Sequence, residues 1–323
     1  MSRRSSRAPC GRADLPVGLD ARQRVPTAIQ GSQSRTCSEN SRISRRAALG
    51  RLGAGALLAL GAWPGALQAQ GQGNGGAFRF LVVNDTHCMS AQCEGYLDGL
   101  VRQMKTEGAD FCLHAGDVTE KGEKKYLGMA KSVFAGLRRP MYPVIGNHDY
   151  VRARDRQSYT RTFPLRMNYY FLHEGWQFIG LDSSEGVKFE NTEIQPATFQ
   201  WLDDYLWRLS KRKPTVIFTH FPMGTEVTYR PRNADALLER FLDFNLQAVF
   251  CGHFHGFTER VEGPVTLTTN RCCALKRGNH DGTTEKGYFV CETREGTVAR
   301  RFVEYKPDGA PGSGSSSRNA AHA

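Results

Sequence analysis

None of the nine cysteines forms a CxxC pair, which excludes a zinc ribbon or a similar thiolate knuckle. No uninterrupted apolar run reaches the roughly 20 residues of a membrane-spanning helix. The chain also lacks a concentrated basic body, although its formal net charge is +11 over 323 residues. Residues 1–76 hold eleven arginines, no lysine, and only Asp14, Asp20 and Glu39 as acids, while the remainder carries 32 basic against 29 acidic residues. The positive charge therefore belongs to the leader. A nearly balanced body argues against a nucleic-acid-binding domain, which needs dense positive charge along one surface. The pattern shows no internal repeat, and no second folded domain is expected. Residues 77–323 are nonetheless numerous enough to bury a sizeable core.

The leader reads as two segments. Residues 1–43 are polar and Arg-rich, without apolar periodicity, and are expected to be disordered. Ser44-Arg45-Arg46 then precedes a run of Gly, Ala and Leu from Leu52 to Leu67, with Ala69 as a small exit residue. Positive segment, short apolar segment and small-residue exit, over 44–69, make an export signal. The paired arginines before a weakly apolar run resemble a twin-arginine signal. The expected location is therefore periplasmic or otherwise extracytoplasmic, with no stable membrane span after processing. Residues 306–323 read as a flexible Gly/Ser-rich tail. Seven cysteines follow the leader, an odd number. Cys112, Cys251 and Cys291 lie in apolar runs and read as buried fillers. Cys88 and Cys93 flank a short loop and could pair in an oxidising compartment.

The body opens with short apolar runs alternating with helical stripes. Strands are expected at Phe78–Asn84, Asp110–Ala115 and Met141–Ile145, with helices over Glu94–Glu107 and Lys124–Leu137 between them. Strand, helix, strand, helix, strand implies a parallel βαβ arrangement. Tyr150–Met167, with five arginines, reads as a loop that either holds a second anionic group or is simply solvated. A strand pair over Tyr169–His173 and Gln177–Leu181, a helix over Thr198–Leu209, a strand at Thr215–Thr219, a helix over Ala234–Phe244 and a strand at Ala248–Cys251 follow. From Val265 to Tyr305 the pattern predicts antiparallel strands.

Asp85, His87, Asp117, Asn147, His148, His220, His253 and His255 all fall just beyond the last apolar residue of a strand. In α/β sheets, ligands bind beyond the carboxyl ends of strands, so these side chains could converge. Carboxylate, imidazole and amide without thiolate suit Mn, Fe or Zn. Seven candidate ligands exceed the four that one tetrahedral ion takes, so two ions sharing a carboxylate fit the count better. The string Gly278-Asn279-His280-Asp281 repeats Gly146-Asn147-His148-Asp149, but no strand precedes it, and it reads as a turn. His114 and His173 read as structural, and Cys88, next to His87, as packing.

The ordered series Asp85-Thr86-His87, Gly116-Asp117-Val118-Thr119-Glu120-Lys121-Gly122, Gly146-Asn147-His148-Asp149, Thr219-His220 and Gly252-His253-Phe254-His255 resembles the calcineurin-like metallophosphoesterases. Their pattern is DxH, GDxx(D/E)xG, GNH(D/E), a lone His, then GHxH. The resemblance spans residues 78–305 and implies an α/β fold, a four-layer α/β/β/α sandwich of two mixed sheets in a single domain. It assigns one metal ion to Asp85, His87, Asp117 and His255, and a second to Asp117, Asn147, His220 and His253. It makes His148 the acid or transition-state stabiliser, Glu120 the carboxylate that orients that histidine, and Lys121 a basic residue near the phosphate. The implied chemistry is hydrolysis of a small phosphodiester or phosphomonoester by a hydroxide held between two ions. Glu120 occupies the position where purple acid phosphatases carry a tyrosine. The motif shape therefore looks closer to the cyclic-nucleotide phosphodiesterase branch. Two rival expectations are a non-catalytic binding module on the same fold and a nuclease.

Overall fold

The computed structural model describes residues 76–307. The expected disordered segment 1–43, the export signal 44–69 and tail residues 308–323 lie outside the described residues.

Residues 79–83 alternate between two faces. Phe80 and Val82 point one way and Leu81 and Val83 the other, and all four are buried. A strand buried on both faces belongs in the middle of a layered fold. It is β1 (Arg79–Val83), and the chain continues through α1 (Ala91–Lys105), β2 (Phe111–His114), α2 (Lys124–Ala135) and β3 (Met141–Pro143). Strands β1, β2 and β3 run parallel, with helices as the crossovers. The C-terminal hairpin β10 (Gly287–Arg294) and β11 (Thr297–Glu304) returns to this sheet, β10 lying antiparallel to β1, in the order β11-β10-β1-β2-β3.

The second sheet has the order β4-β5-β6-β7-β9-β8. It comprises β4 (Tyr169–His173), β5 (Trp176–Leu181), β6 (Thr215–Thr219), β7 (Leu246–Cys251), β8 (Thr258–Glu262) and β9 (Val265–Thr269). Its centre is parallel from β5 to β9, and its two edges, β4 and β8, are antiparallel. Between them the chain forms α3 (Gln157–Thr162), α4 (Pro196–Tyr205) and α5 (Ala234–Glu239).

Three buried clusters define the layers. Phe80, Val82, Phe111, Phe178, Phe218 and Phe250 fill the space between the sheets. Leu97, Leu100, Val101, Leu127 and Phe134 of α1 and α2 cover the outer face of the first sheet. Leu202 and Leu237, with Phe241 beyond α5, cover the outer face of the second beside Ile179, Ile217 and Val249. The expected four-layer α/β/β/α sandwich of two mixed sheets is thus the observed one.

Local corrections follow from pairing that sequence pattern does not carry. The Val265–Tyr305 region is not wholly antiparallel, because β9 pairs parallel with β7. The strand β8 was not expected, since Glu259, Arg260 and Val261 are exposed at a sheet edge and break the apolar signal. Helix α5 ends at Glu239 rather than Phe244, where the chain turns on local hydrogen bonds of Phe241 and Phe244. The Tyr150–Met167 segment contains the short α3. All seven described cysteines are unpaired, Cys88 and Cys93 included.

Candidate metal centre

The carboxyl ends of β1, β2, β3, β6 and β7 lie along one edge of the sandwich, where every motif residue sits. Asp85, His87, Asp117 and His255 offer ligand atoms within 4.8 Å of one another, as do Asp117, His220 and His253, so the two groups share Asp117. Asp117 Oδ2 is 3.6 Å from His87 Nε2 and 3.3 Å from His220 Nε2. Asn147 Oδ1 is 3.1 Å from His220 Nε2, which adds the amide to the second group. Both groups are buried.

Each histidine sets one ring nitrogen beside a protein oxygen and turns the other inward. His220 Nδ1 donates to the carbonyl of Ala115 at 2.9 Å, His253 Nε2 to that of Phe189 at 2.7 Å, and His255 Nδ1 to that of Gly278 at 3.2 Å. His87 Nδ1 lies 3.0 Å from Glu120 Oε2. A carbonyl can only accept, so these partners fix the tautomer of the neutral ring, whose lone pair then lies on the inward nitrogen. The inward nitrogens face each other at 3.1 Å (His87–His255) and 3.2 Å (His220–His253), an arrangement that suits a cation between them. Asp85 Oδ1 has no aligned donor, although nitrogens of His255, His87 and His220 stand 3.2, 3.9 and 4.0 Å away.

The electrostatics point the same way. Burial opposes charge on Asp85, yet His255 and His220 hold its carboxyl well below the usual range. Asp117 is held down likewise by His220 and His148, against its burial. The reciprocal effect overrides burial at His220, raised to about 9 chiefly by Asp117, and at His255, raised to about 11 by Asp85. Burial and the charge on His220 push His253 down to about 3. The two buried carboxylates thus favour positive charge on the groups that face them. A site that demands positive charge this strongly, with only N and O donors, fits two borderline metal ions.

The backbone is bent to make this possible. Asp85, His87, Asp117, His253 and His255 all adopt left-handed φ, between 43° and 65°. Non-glycine residues seldom occupy that region, and it clusters at functional sites. Two glycines serve close approach. A Cβ on Gly116, itself at φ +85°, would meet His220 Nδ1 at 2.5 Å, and one on Gly146 would meet Asp117 Oδ1 at 2.1 Å. The Asp149 carboxylate clasps the two loops, accepting from the amides of Val118, Thr119 and Gly146 and from the Thr119 hydroxyl.

A cleft of about 400 Å³ opens over the centre, lined among others by Asp117, Asn147, His148, His253 and His255. His148 lies at its wall. Its amide donates to Asp117 Oδ1 at 2.8 Å, and its Nδ1 donates to the main-chain carbonyl of Glu120 at 2.9 Å.

Glu120, expected to orient His148, has other and nearer partners as well. Its carboxylate stands 3.8 Å from His148 Nδ1 but 3.0 Å from His87 Nδ1, and it forms a forked pair with the guanidinium of Arg277. Burial disfavours its charge, but the His87 and Arg277 contacts win and lower it to about 2. The hydrogen bond to His148 Nδ1 itself comes from the Glu120 peptide oxygen, with the carboxylate farther off. Arg277 was not foreseen. It reaches the cleft from the loop carrying the repeated string, and its Nη2 is 3.5 Å from His148 Nε2.

That loop is irregular, as expected of a turn, but it is part of the site. Gly278 supplies the carbonyl for His255, and the His280 ring stacks on the His255 ring, centroids 5.2 Å apart. Lys121 lines the cleft. The arginines of 152–166 do not. Arg156 pairs with Asp182 at 3.0 Å, and Arg166 lies over the rings of Tyr142 and Tyr169. His114 is buried and bonded to Thr86, and His173 packs edge-on against Phe78, both structural as expected. Burial raises the Cys88 thiol to about 12 and its sulfur contacts Met129, which makes it packing rather than a ligand.

A two-sheet sandwich whose strand ends hold two adjoining N/O ligand groups with a shared carboxylate defines a dimetal hydrolase. The calcineurin-like phosphoesterase family model matches residues 78–257, and the chain belongs to that family. A glycerophosphodiester phosphodiesterase from Enterobacter lignolyticus is 26% identical over 212 residues, 58% of this chain and 74% of that protein. A probable cyclic nucleotide phosphodiesterase from Rhodopseudomonas palustris is 26% identical over 206 residues, 55% of this chain and 71% of its own. Among solved structures, a dimetal phosphatase from Danio rerio matches with a TM-score of 0.55 at 13% identity, over 70% of this chain and 95% of that one, a likeness of fold. The protein is a metallophosphoesterase.

Proposed function

We propose that the protein is an exported phosphodiesterase acting on a small phosphate diester. The observation that carries this reading is the pair of buried ligand groups sharing Asp117, with His148 beside them on an open cleft. Asp85, His87, Asp117 and His255 would hold one ion, and Asp117, Asn147, His220 and His253 the other. Such ions lower the pKa of a bound water and neutralise phosphate oxygens. The chain's own groups do the rest. The Glu120 carbonyl holds the His148 ring so that Nε2 faces the cleft, placed to meet a leaving oxygen. Arg277 and Lys121 put positive charge on the same wall, suited to a phosphate oxygen that the ions leave free. The diester preference is supported by the two phosphodiesterase relatives, each of which shares about a quarter of its aligned residues with this chain.

The test is hydrolysis of bis-p-nitrophenyl phosphate and p-nitrophenyl phosphate with Mn, Fe or Zn, alongside Asp117→Asn and His148→Ala. Faster diester turnover, lost in both variants, is the expected result. Equal or faster monoester turnover would reverse the diester assignment. Absence of both turnover and bound metal would favour a non-catalytic binding module. The nuclease alternative has no dense positive surface behind it in the sequence.

Export rests on Arg45, Arg46 and the apolar run after them, with the periplasm or another extracytoplasmic space as destination. Among the described residues no helix is long and apolar enough to cross a membrane. Replacing Arg45 and Arg46 with lysine should abolish export, and unchanged export would sink the twin-arginine reading.

A further inference from the structure

The lining of the cleft carries two chemistries. Glu120, Lys121, His148 and Arg277 are charged or polar. Val151, Val187, Phe189 and Tyr229 make an apolar and aromatic stretch of its wall. Single exposed apolar residues are ordinary on a protein surface. These are grouped instead, and Phe189, Val187 and Val151 remain 54%, 45% and 44% exposed at the mouth of a cleft whose floor is charged.

The aromatic pair also borders the candidate metal ligands. The Phe189 carbonyl accepts from His253 Nε2 at 2.7 Å, so its backbone is tied to a candidate metal ligand. The Tyr229 ring stands edge-on to the His253 ring at 5.2 Å and 6.4 Å from the Phe189 ring. Tyr229 lines the cleft, and its backbone sits at φ +68°, a conformation that bulky residues seldom adopt. A phosphate group gains nothing from such a wall, and a polyol ester gains little. A flat apolar ring attached to the phosphate would cover it.

We propose that this wall is a subsite for a planar aromatic ring carried on the substrate's ester, with Phe189 and Tyr229 as its binding residues. An aryl group and a nucleobase present the same π-face, and either would serve. The inference rests on the reading of the centre as a phosphodiesterase.

The test uses the metal-loaded protein and p-nitrophenyl diesters of phenol, cyclohexanol and methanol. All three share one leaving group, so only the retained ester varies. The phenyl ester should exceed the methyl ester about tenfold or more in kcat/KM and the cyclohexyl ester about threefold or more. Phe189→Ala and Tyr229→Ala should each shrink the phenyl-to-methyl ratio, whereas Phe189→Tyr should keep it. Each ratio is internal to one variant, so a loss of folded protein does not mimic the effect. Binding gives a second readout by calorimetry: phenylphosphonate should bind about tenfold tighter than methylphosphonate, a difference reduced in Phe189→Ala. A thymidine p-nitrophenyl diester hydrolysed as well as the phenyl ester would identify the ring as a nucleobase, and a slower one as an aryl group. Equal rates for phenyl and methyl esters, cyclohexyl matching phenyl, or ratios unmoved in both alanine variants would overturn the subsite alone. No hydrolysis of any diester would overturn the phosphodiesterase reading and the subsite with it.

Discussion

Replacing Glu120 with glutamine separates two roles that one carboxylate could have. The carboxylate contacts His87 Nδ1 at 3.0 Å and the Arg277 guanidinium through two oxygens, while His148 Nδ1 is bonded to the Glu120 carbonyl, which the substitution keeps. Glutamine keeps one neutral oxygen for the two donors and brings an NH2 that neither His87 Nδ1–H nor Arg277 can use, so the charge-assisted support of His87 is lost. Mutating the partner behind a metal-ligating imidazole typically costs about 10–100-fold in metal affinity, or roughly 1.4–2.7 kcal/mol. The Arg277 pair adds less, because that guanidinium is about a third exposed and solvent screens it. The expected outcome in a metal-buffered titration is thus a half-saturation concentration raised about 10–100-fold, with most activity restored when metal is in excess. If Glu120 instead acted by holding His148, metal affinity would stay within about twofold of wild type and the kcat defect would persist at saturating metal. That pattern would refute the structural assignment.

Two further outcomes follow from the geometry. Gly146→Ala puts a Cβ 2.1 Å from Asp117 Oδ1 and 2.3 Å from its amide nitrogen, so the shared carboxylate must move. A displacement near 1 Å at a reacting centre can cost about 100-fold in rate, and kinetics at saturating metal would show whether it does. Metal uptake should also release protons. His220 and His255, raised to about 9 and about 11, are protonated at neutral pH before an ion binds, whereas ligating imidazoles are neutral. Affinity should therefore rise with pH, log K climbing by up to about two per pH unit below about 9. The sign is opposite for the stability of the protein stripped of metal. Its imidazolium–carboxylate contribution is fully present below about 6.5 and fades as pH rises through about 9 and then about 11. Calorimetry in buffers of different ionisation enthalpy measures the release directly, and binding with no proton release would contradict the imidazolium state.

Most of the fold, and the place of the candidate ligands at strand ends, were legible because both are local. Alternating Phe80, Leu81, Val82 and Val83 mark a doubly buried strand, and Asp85, His87, Asp117, Asn147, His148, His220, His253 and His255 each follow such a run at short range. What sequence could not supply is pairing across long separations. The antiparallel return of β10 beside β1, the parallel union of β7 with β9, and the pairing of Arg277 with Glu120 across 157 positions all depend on tertiary contact. The only signal for Arg277 was its place just before the repeated Gly278-Asn279-His280-Asp281. That string resembled a catalytic motif but lacked the strand that would aim it. The structure gives it a supporting part, a carbonyl for His255 and an arginine for the cleft wall.

Backbone strain is the feature most hidden from sequence. Five of the seven candidate ligands sit at positive φ, at a typical cost of about 1–3 kcal/mol each. Nothing in the letters D, H or N records that. The strain is held by contacts that are themselves partly readable: the Gly116 and Gly146 close approaches, and the Asp149 carboxylate that joins the loops after β2 and β3. These are the glycines and the final acid of GDxxExG and GNHD, so motif residues that bind no metal supply the restraint that metal-binding ones require. The Gly116 and Gly146 approaches and the Asp149 clasp tie the ligand loops to each other through protein contacts, so the scaffold itself positions these side chains. Metal loss should therefore abolish activity while leaving much of the site geometry intact. Reloading a stripped protein should restore turnover without a refolding step, and a slow refolding phase on reloading would argue that the ions shape the site.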